Sequence, residues 1–269
     1  MRKIILISAL IAITAPAWAW GPTGHRIIAE IAYHYLNRKT TKKIDATLGK
    51  NGMIYWVNWP DEIKSAPQIY PTSYDWHYQD LEQPLSPDDI DSLTHHFPQE
   101  GGRLWTTTYQ LIQPEVWNTT QPMTINGETL SYHDRLVFLT HLIGDCFCPM
   151  HMAPQYDKGG NKVKCNWFAQ PTNLHAIWDE HLINARGYSY TEYAQLIILT
   201  YDNQADSIRQ LSPTQLMQNV YNITSGIYNY HKTGDTDTYH YIWNWHQPCE
   251  QQLFTAGVIL AQILNTRIH

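Results

Sequence analysis

The chain is poor in positive charge: 18 Lys and Arg stand against 24 Asp and Glu, for a formal net charge of −6. That balance excludes a broad basic surface of the kind that holds nucleic acid through its phosphates. A membrane-length apolar run is missing too, since the one candidate, "IILISALIAITA", falls short of the roughly 20 residues that a span needs. Low-complexity linkers and internal repeats are absent, and alternating strand patterns are scarce and short, which leaves one mainly helical domain. Cysteines number only four: Cys146, Cys148, Cys165 and Cys249. In an exported chain they are expected to form up to two disulfides, with three pairings open; otherwise Cys146 and Cys148, beside a His/Asp cluster, stay reduced or bind metal.

Export is what the first nineteen residues suggest. Arg2 and Lys3 supply a positive start, an apolar stretch follows, and Ala17-Trp18-Ala19 has the small-residue pattern of a cleavage site. Cleavage at Ala19-Trp20 leaves 250 of the 269 residues, enough for one large core, and takes the net charge to −8 through loss of Arg2 and Lys3. The expected destination is the periplasm or the cell exterior. A tryptophan at the tip of a mature chain has no obvious structural purpose, and "WGPTGH" (20–25) places His25 five positions after it.

Apolar residues at Ile27, Ile28, Ile31, Ala32, Tyr35 and Leu36 recur at helical spacing, and "YHDRLVFLTHLIGDCF" (132–147) keeps the same period. Both read as amphipathic helices. So do 191–201, 213–230 and the tail "EQQLFTAGVILAQILNTRI", while "PTSYDW", "PLSPDD", "FPQEGG" and "DKGGN" read as loops. The fold class is all-α, with connecting loops longer than a bundle needs, and loops of that length often build a site.

"HLIGDCFCPMH" sets His141 and Asp145 four residues apart on one helix face, with His151 beyond Pro149, and "NLHAIWD" repeats the spacing with His175 and Asp179. One such pair is commonly just a hydrogen bond on a solvated face. Two pairs, joined by Asp61 in "WPDEIK" and His77 in "DWHYQD", form a set of nitrogen and oxygen donors suited to zinc.

In these motifs the chain resembles the S1/P1 nuclease family, secreted single-strand nucleases and 3′-nucleotidases that share a fold with zinc-dependent phospholipase C. The resemblance covers residues 20 to about 181 and matches nine metal-ligand positions in order: Trp20, His25, Asp61, His77, His141, Asp145, His151, His175 and Asp179. It implies three Zn²⁺ ions. One would sit on Asp61, His77, His141 and Asp145, a second on His151, His175 and Asp179, and a third on the α-amine and carbonyl of Trp20 with His25 and the bridging Asp145. Leader cleavage would then create a ligand, because an α-amine with a pKa near 8 must lose its proton to bind metal. Six positive charges against three ligand carboxylates would draw phosphate into an otherwise acidic protein.

The resemblance further implies cleavage of single-stranded DNA or RNA to 5′-phosphate products, with 3′-nucleotides as additional substrates. A hydroxide shared by the two ions on Asp145 would attack phosphorus, and the ion on His151, His175 and Asp179 would stabilise the leaving oxygen. Asp61 would orient the nucleophile, and Lys64 corresponds to a basic residue near the scissile phosphate. Tyr78 and Asp80 fall where the family stacks and hydrogen-bonds a base, and Asn173 supports the site. A monomer without stable membrane association is expected. Two rivals remain: a zinc-dependent phospholipase C, which generally carries Glu where this chain has Asp179, and a non-catalytic secreted zinc-binding protein.

Overall fold

The computed structural model describes residues 20–82, 84–98, 100–232 and 234–268; the expected leader, residues 1–19, lies outside them. Of the described residues 67% are helical, and two two-stranded antiparallel sheets are the only sheets among them. The principal helices are α1 (Pro22–Tyr35), α2 (Arg38–Leu48), α3 (Pro87–His95), α4 (Leu104–Leu111), α5 (Tyr132–Cys146), α6 (Tyr190–Tyr201), α7 (Pro213–Lys232) and α8 (Thr238–Arg267). The hairpins are β1 (Met123–Ile125) with β2 (Glu128–Leu130), and β3 (Lys164–Trp167) with β4 (Gln170–Asn173). None of the described helices is long and apolar enough to cross a membrane.

Local chemistry sets the helix starts. Asn37 Oδ1 accepts from Lys39 and Thr40 N–H to cap α2, Ser131 Oγ accepts from Asp134 N–H to cap α5, and Ser189 with Glu192 closes a reciprocal box on α6. The segment "PLSPDD", expected as loop, instead opens α3: Ser86 caps it, Pro87 occupies the first turn and Asp89 returns the second bond of the box. Its turn-forming residues are also cap-forming ones, and the capping geometry prevails. The C-terminal helix likewise begins twelve residues before the periodic tail, at Thr238, and runs through Pro248, which removes one backbone donor without ending it.

At the centre lies α5. Expected to be amphipathic, it is buried on every face from Arg135 to Cys146, the behaviour of a core helix enclosed by its neighbours. α1 packs on it and on α6 and α8, so the buried faces of the N-terminal and C-terminal helices meet in one continuous core. His141 and Asp145 therefore sit in the driest part of the molecule, on its most confined helix.

The expected disulfides are not formed: all four cysteines are unpaired. Cys146 Sγ contacts Thr108 Oγ1 of α4 at 3.7 Å, while Cys148 Sγ contacts Asp179 at 3.6 Å. Residues two apart at a helix end point in divergent directions, and Cys165 on β3 and Cys249 on α8 belong to further separate elements.

Candidate metal centre

Eight of the nine residues expected as ligands bring their side chains together. His25, Asp61, His77, His141, Asp145, His151, His175 and Asp179 are each no more than 7% exposed. They arrive from different elements: His25 from the first turns of α1, Asp61 from the turn Trp59–Glu62, His77 from the end of Ser73–His77, and His141 and Asp145 from α5. His151 lies on the turn Pro149–Met152, His175 on Leu174–Ala176, and Asp179 on a π-helical turn, Ile177–His181.

Asp145 is the hub. Its Oδ2 is 3.1 Å from His77 Nδ1 and 3.3 Å from His141 Nε2, whereas its Oδ1 is 3.3 Å from His25 Nε2. Asp61 Oδ1 closes the first group, at 3.5 Å from His77 Nδ1 and 3.6 Å from His141 Nε2, and the two histidine nitrogens are 3.0 Å apart. Nitrogen and oxygen donors about 2.0–2.1 Å from one tetrahedral cation stand about 3.3 Å from each other; these spacings bracket that value. The 3.0 Å contact also has the length of an N–H···N bond from one ring to the other, so it is the whole set of nitrogen and oxygen donors, rather than this contact, that fits a cation.

A shell of backbone carbonyls aims the rings. His141 Nδ1 donates to Val57 O at 2.7 Å, His175 Nδ1 to Gly159 O at 2.7 Å, and His151 Nδ1 to His77 O. In each case the proton is fixed on Nδ1 and Nε2 is presented to the interior, the arrangement by which metal ligands are oriented. Buried His151 Nε2 has no hydrogen-bond partner, and His25 Nε2, Asp145 Oδ1 and Asp179 Oδ2 face only other members of the centre. Leaving such atoms unsatisfied costs on the order of 1–3 kcal/mol each, a cost that a divalent cation at their focus removes. The donor set and its geometry fit metal. Close approach is built in as well: a Cβ on Gly144 would lie 2.8 Å from His25 Nδ1, so only glycine lets α1 bring His25 over α5.

The second group gathers around Asp179, whose Oδ2 is 2.9 Å from His175 Nε2; the His151 and His175 rings stack at 5.2 Å. Gly21 N–H donates to Asp179 O at 2.7 Å, which holds the start of the described chain against this group. Trp20 is buried beside Gly24, and its indole Nε1 has no partner.

Burial and mutual charge dominate the electrostatics. Burial raises the carboxyls of Asp61 and Asp145, yet His141 and its neighbours outweigh it and hold both below the ordinary range. Burial brings His77 and His151 down to about 4, so both are neutral and ligand-competent near pH 7. Lys64 Nζ, partly exposed at the rim, lies 2.6 Å from Asp61 Oδ1.

The expected substrate residues lie nearby. Tyr78 is half-buried, with its hydroxyl on Asp75 Oδ1 at 3.2 Å, and the backbone of Asp80 bonds Gly101 O. Burial, with Glu82 and Asp157 adding, pushes the Asp80 carboxyl up to about 6. Asn173 acts locally, where its Oδ1 caps the His175 turn by accepting from Ala176 N–H at 2.8 Å. Sequence reasoning missed the support behind His175, where buried Asp157 Oδ1 accepts from Gly160 N–H and Tyr228 OH and so anchors the loop carrying Gly159 O. The "DKGG" turn was its only visible sign. The remaining described histidines stay outside the centre; His181, for one, bonds Thr172 and stacks on Trp167.

The model of the S1/P1 Nuclease family matches residues 20–269. Among curated proteins, the chain is 30% identical to Endonuclease 3 of Arabidopsis thaliana over 193 residues, 70% of this chain and 62% of that protein. It is 29% identical to Endonuclease 4 of the same plant over 185 residues, 65% and 58% of the two chains. With Nuclease S1 of Aspergillus oryzae the identity is 25% over 219 residues, 77% and 72%. The matched region thus spans about three fifths of the two plant proteins.

Proposed function

Because this chain belongs to the S1/P1 nuclease family, we propose that it is a zinc-dependent nuclease whose single domain, residues 20–269, hydrolyses phosphodiester bonds in single-stranded DNA and RNA. It leaves 5′-phosphates and also acts on 3′-nucleotides. It works as a monomer in the periplasm or outside the cell, after a leader is removed between Ala19 and Trp20. One observation carries the reading: eight buried His and Asp side chains gather in one centre, in which His25, His77, His141 and His151 each stand within 4 Å of Asp145, whose two oxygens face two different donor groups. Endonuclease relatives over most of the chain agree with it.

Three ions are assigned to these residues. Asp61, His77, His141 and Asp145 hold one; His151, His175 and Asp179 another; His25, Asp145 and the terminal amine and carbonyl of Trp20 the last. When bound, zinc brings the pKa of a coordinated water towards 7 and takes up charge on a leaving oxygen. The chain's own groups do the rest. Asp61, fixed by Lys64, keeps an ionised oxygen on the nucleophile side, and the Lys64 ammonium faces the phosphate at the rim. Tyr78 offers a ring on which an unpaired base stacks, worth about 1–3 kcal/mol, and Asp80 reads its edge. A base inside a duplex cannot reach that ring, hence the preference for single strands.

The test is direct. Mature protein beginning at Trp20 should degrade single-stranded DNA to 5′-phosphorylated ends, lose activity to a chelator and regain it with zinc. Hydrolysis of phosphatidylcholine without nucleic acid cleavage would assign the site to a phospholipase C instead, and bound zinc without turnover of either would leave a binding protein.

A further inference from the structure

Cys148 is a buried group outside the nine residues assigned to metal. It follows the last turn of α5 and opens the turn that carries His151, fully enclosed. Its Sγ is 3.6 Å from Asp179 Oδ1, and Cys148, His151 and Asp179 each place one donor atom within 4.8 Å of the other two. His151 and Asp179 are 3% and 4% exposed; His151 Nε2 has no hydrogen-bond partner, and Asp179 Oδ2 faces His175 Nε2 at 2.9 Å, a ring whose proton is held on Nδ1 by Gly159 O.

We propose that Cys148 Sγ is a direct ligand of the cation held by His151, His175 and Asp179. The inference rests on the metal reading of this site. It turns a donor set of two nitrogens and an oxygen into one that also contains sulfur. Zinc-to-sulfur and zinc-to-oxygen bonds of about 2.3 and 2.0–2.2 Å put the two ligand atoms about 3.5 Å apart in a tetrahedron, close to the observed 3.6 Å. A thiol donating to the carboxylate has a similar length. What favours ligation is that buried His151 Nε2 has no partner and Asp179 Oδ2 faces a ring nitrogen that carries no proton, two vacancies that a cation fills and a thiol proton does not. Ligation forms a sulfur-to-metal bond, breaks the S–H bond and passes the proton to solvent. Two consequences follow for the site. A soft donor would favour zinc or cadmium over magnesium or manganese here, and it would join His151, His175 and Asp179 as a fourth protein donor.

Cobalt(II), supplied alone to chelator-stripped mature protein, reads the sulfur through its thiolate-to-metal charge-transfer absorption in the near ultraviolet. The wild-type chain should show that band, Cys148→Ser should lose it, and Cys146→Ser should keep it. Cobalt bound without the band, or a band that survives in Cys148→Ser, overturns the ligand assignment and leaves the metal centre standing. A folded wild-type chain that takes up no cobalt overturns the assignment and the metal reading together. The wild-type spectrum decides the matter even if the Cys148 variant fails to fold.

Discussion

The two sides of the centre are built differently. The Asp61, His77 and His141 side uses only nitrogen and oxygen and leans on α5, the most confined helix of the fold. The Asp179 side hangs on a π-helical turn, a hairpin exit and a glycine-rich loop, and includes a sulfur. A donor group on a packed helix inherits the rigidity of the core, whereas one on turns needs its own braces: Asn173 at the cap, and Asp157 with Tyr228 behind the loop. Asp145 belongs to the first side and, through Oδ1, also faces His25.

Removing that shared residue should collapse the distinction. Asp145→Asn takes a negative oxygen from two donor groups at once, so metal content should fall by more than one ion per chain and kcat/KM by on the order of 10⁴ or more, as for groups that act as a unit. Metal analysis with single-strand hydrolysis checks this; loss of only one ion would mean that Asp145 does not bridge. His175→Ala should separate the two sides. It removes a ligand from the Asp179 group alone and costs about 10²–10³ in kcat, the scale of one lost charge-stabilising group, while the ion on Asp61, His77 and His141 stays bound.

Asp80 leaves both sides alone and probes what sits in front of them. With its carboxyl pushed up to about 6, it is an ionised acceptor above that pH and a protonated donor below it. The KM for a base that donates to Asp80 should rise about tenfold as pH falls through 6, the worth of a hydrogen bond to a charged group. Asp80→Asn should flatten that profile without changing metal content. Smallest of all, Asn173→Ala should cost about 1 kcal/mol of stability through the lost cap, read in denaturant melts, and loosen the Asp179 side more than the α5 side.

The same contrast explains what was legible in the sequence. Helical period located α1, α5, α6 and α7, because apolar spacing is what packing requires. The His/Asp pairs at 141/145 and 175/179 were legible because four-residue spacing puts both side chains on one face. Burial of α5 on all sides was not, since its polar residues, His141 and Asp145 among them, imitate a solvated face. Nor were Val57 O, His77 O and Gly159 O, because a backbone carbonyl carries no signature of the ring it receives. The cysteines misled: an exported chain made disulfides the natural expectation, but which way Cys146 and Cys148 point depends on where the helix ends.

The most direct measurement is anomalous scattering at the zinc edge from crystals of the chain beginning at Trp20. Three peaks should appear: one among Asp61, His77, His141 and Asp145, one beside His25 and the terminal amine, and one among Cys148, His151, His175 and Asp179. Peaks elsewhere, or none within this ring of buried His and Asp, would contradict the account.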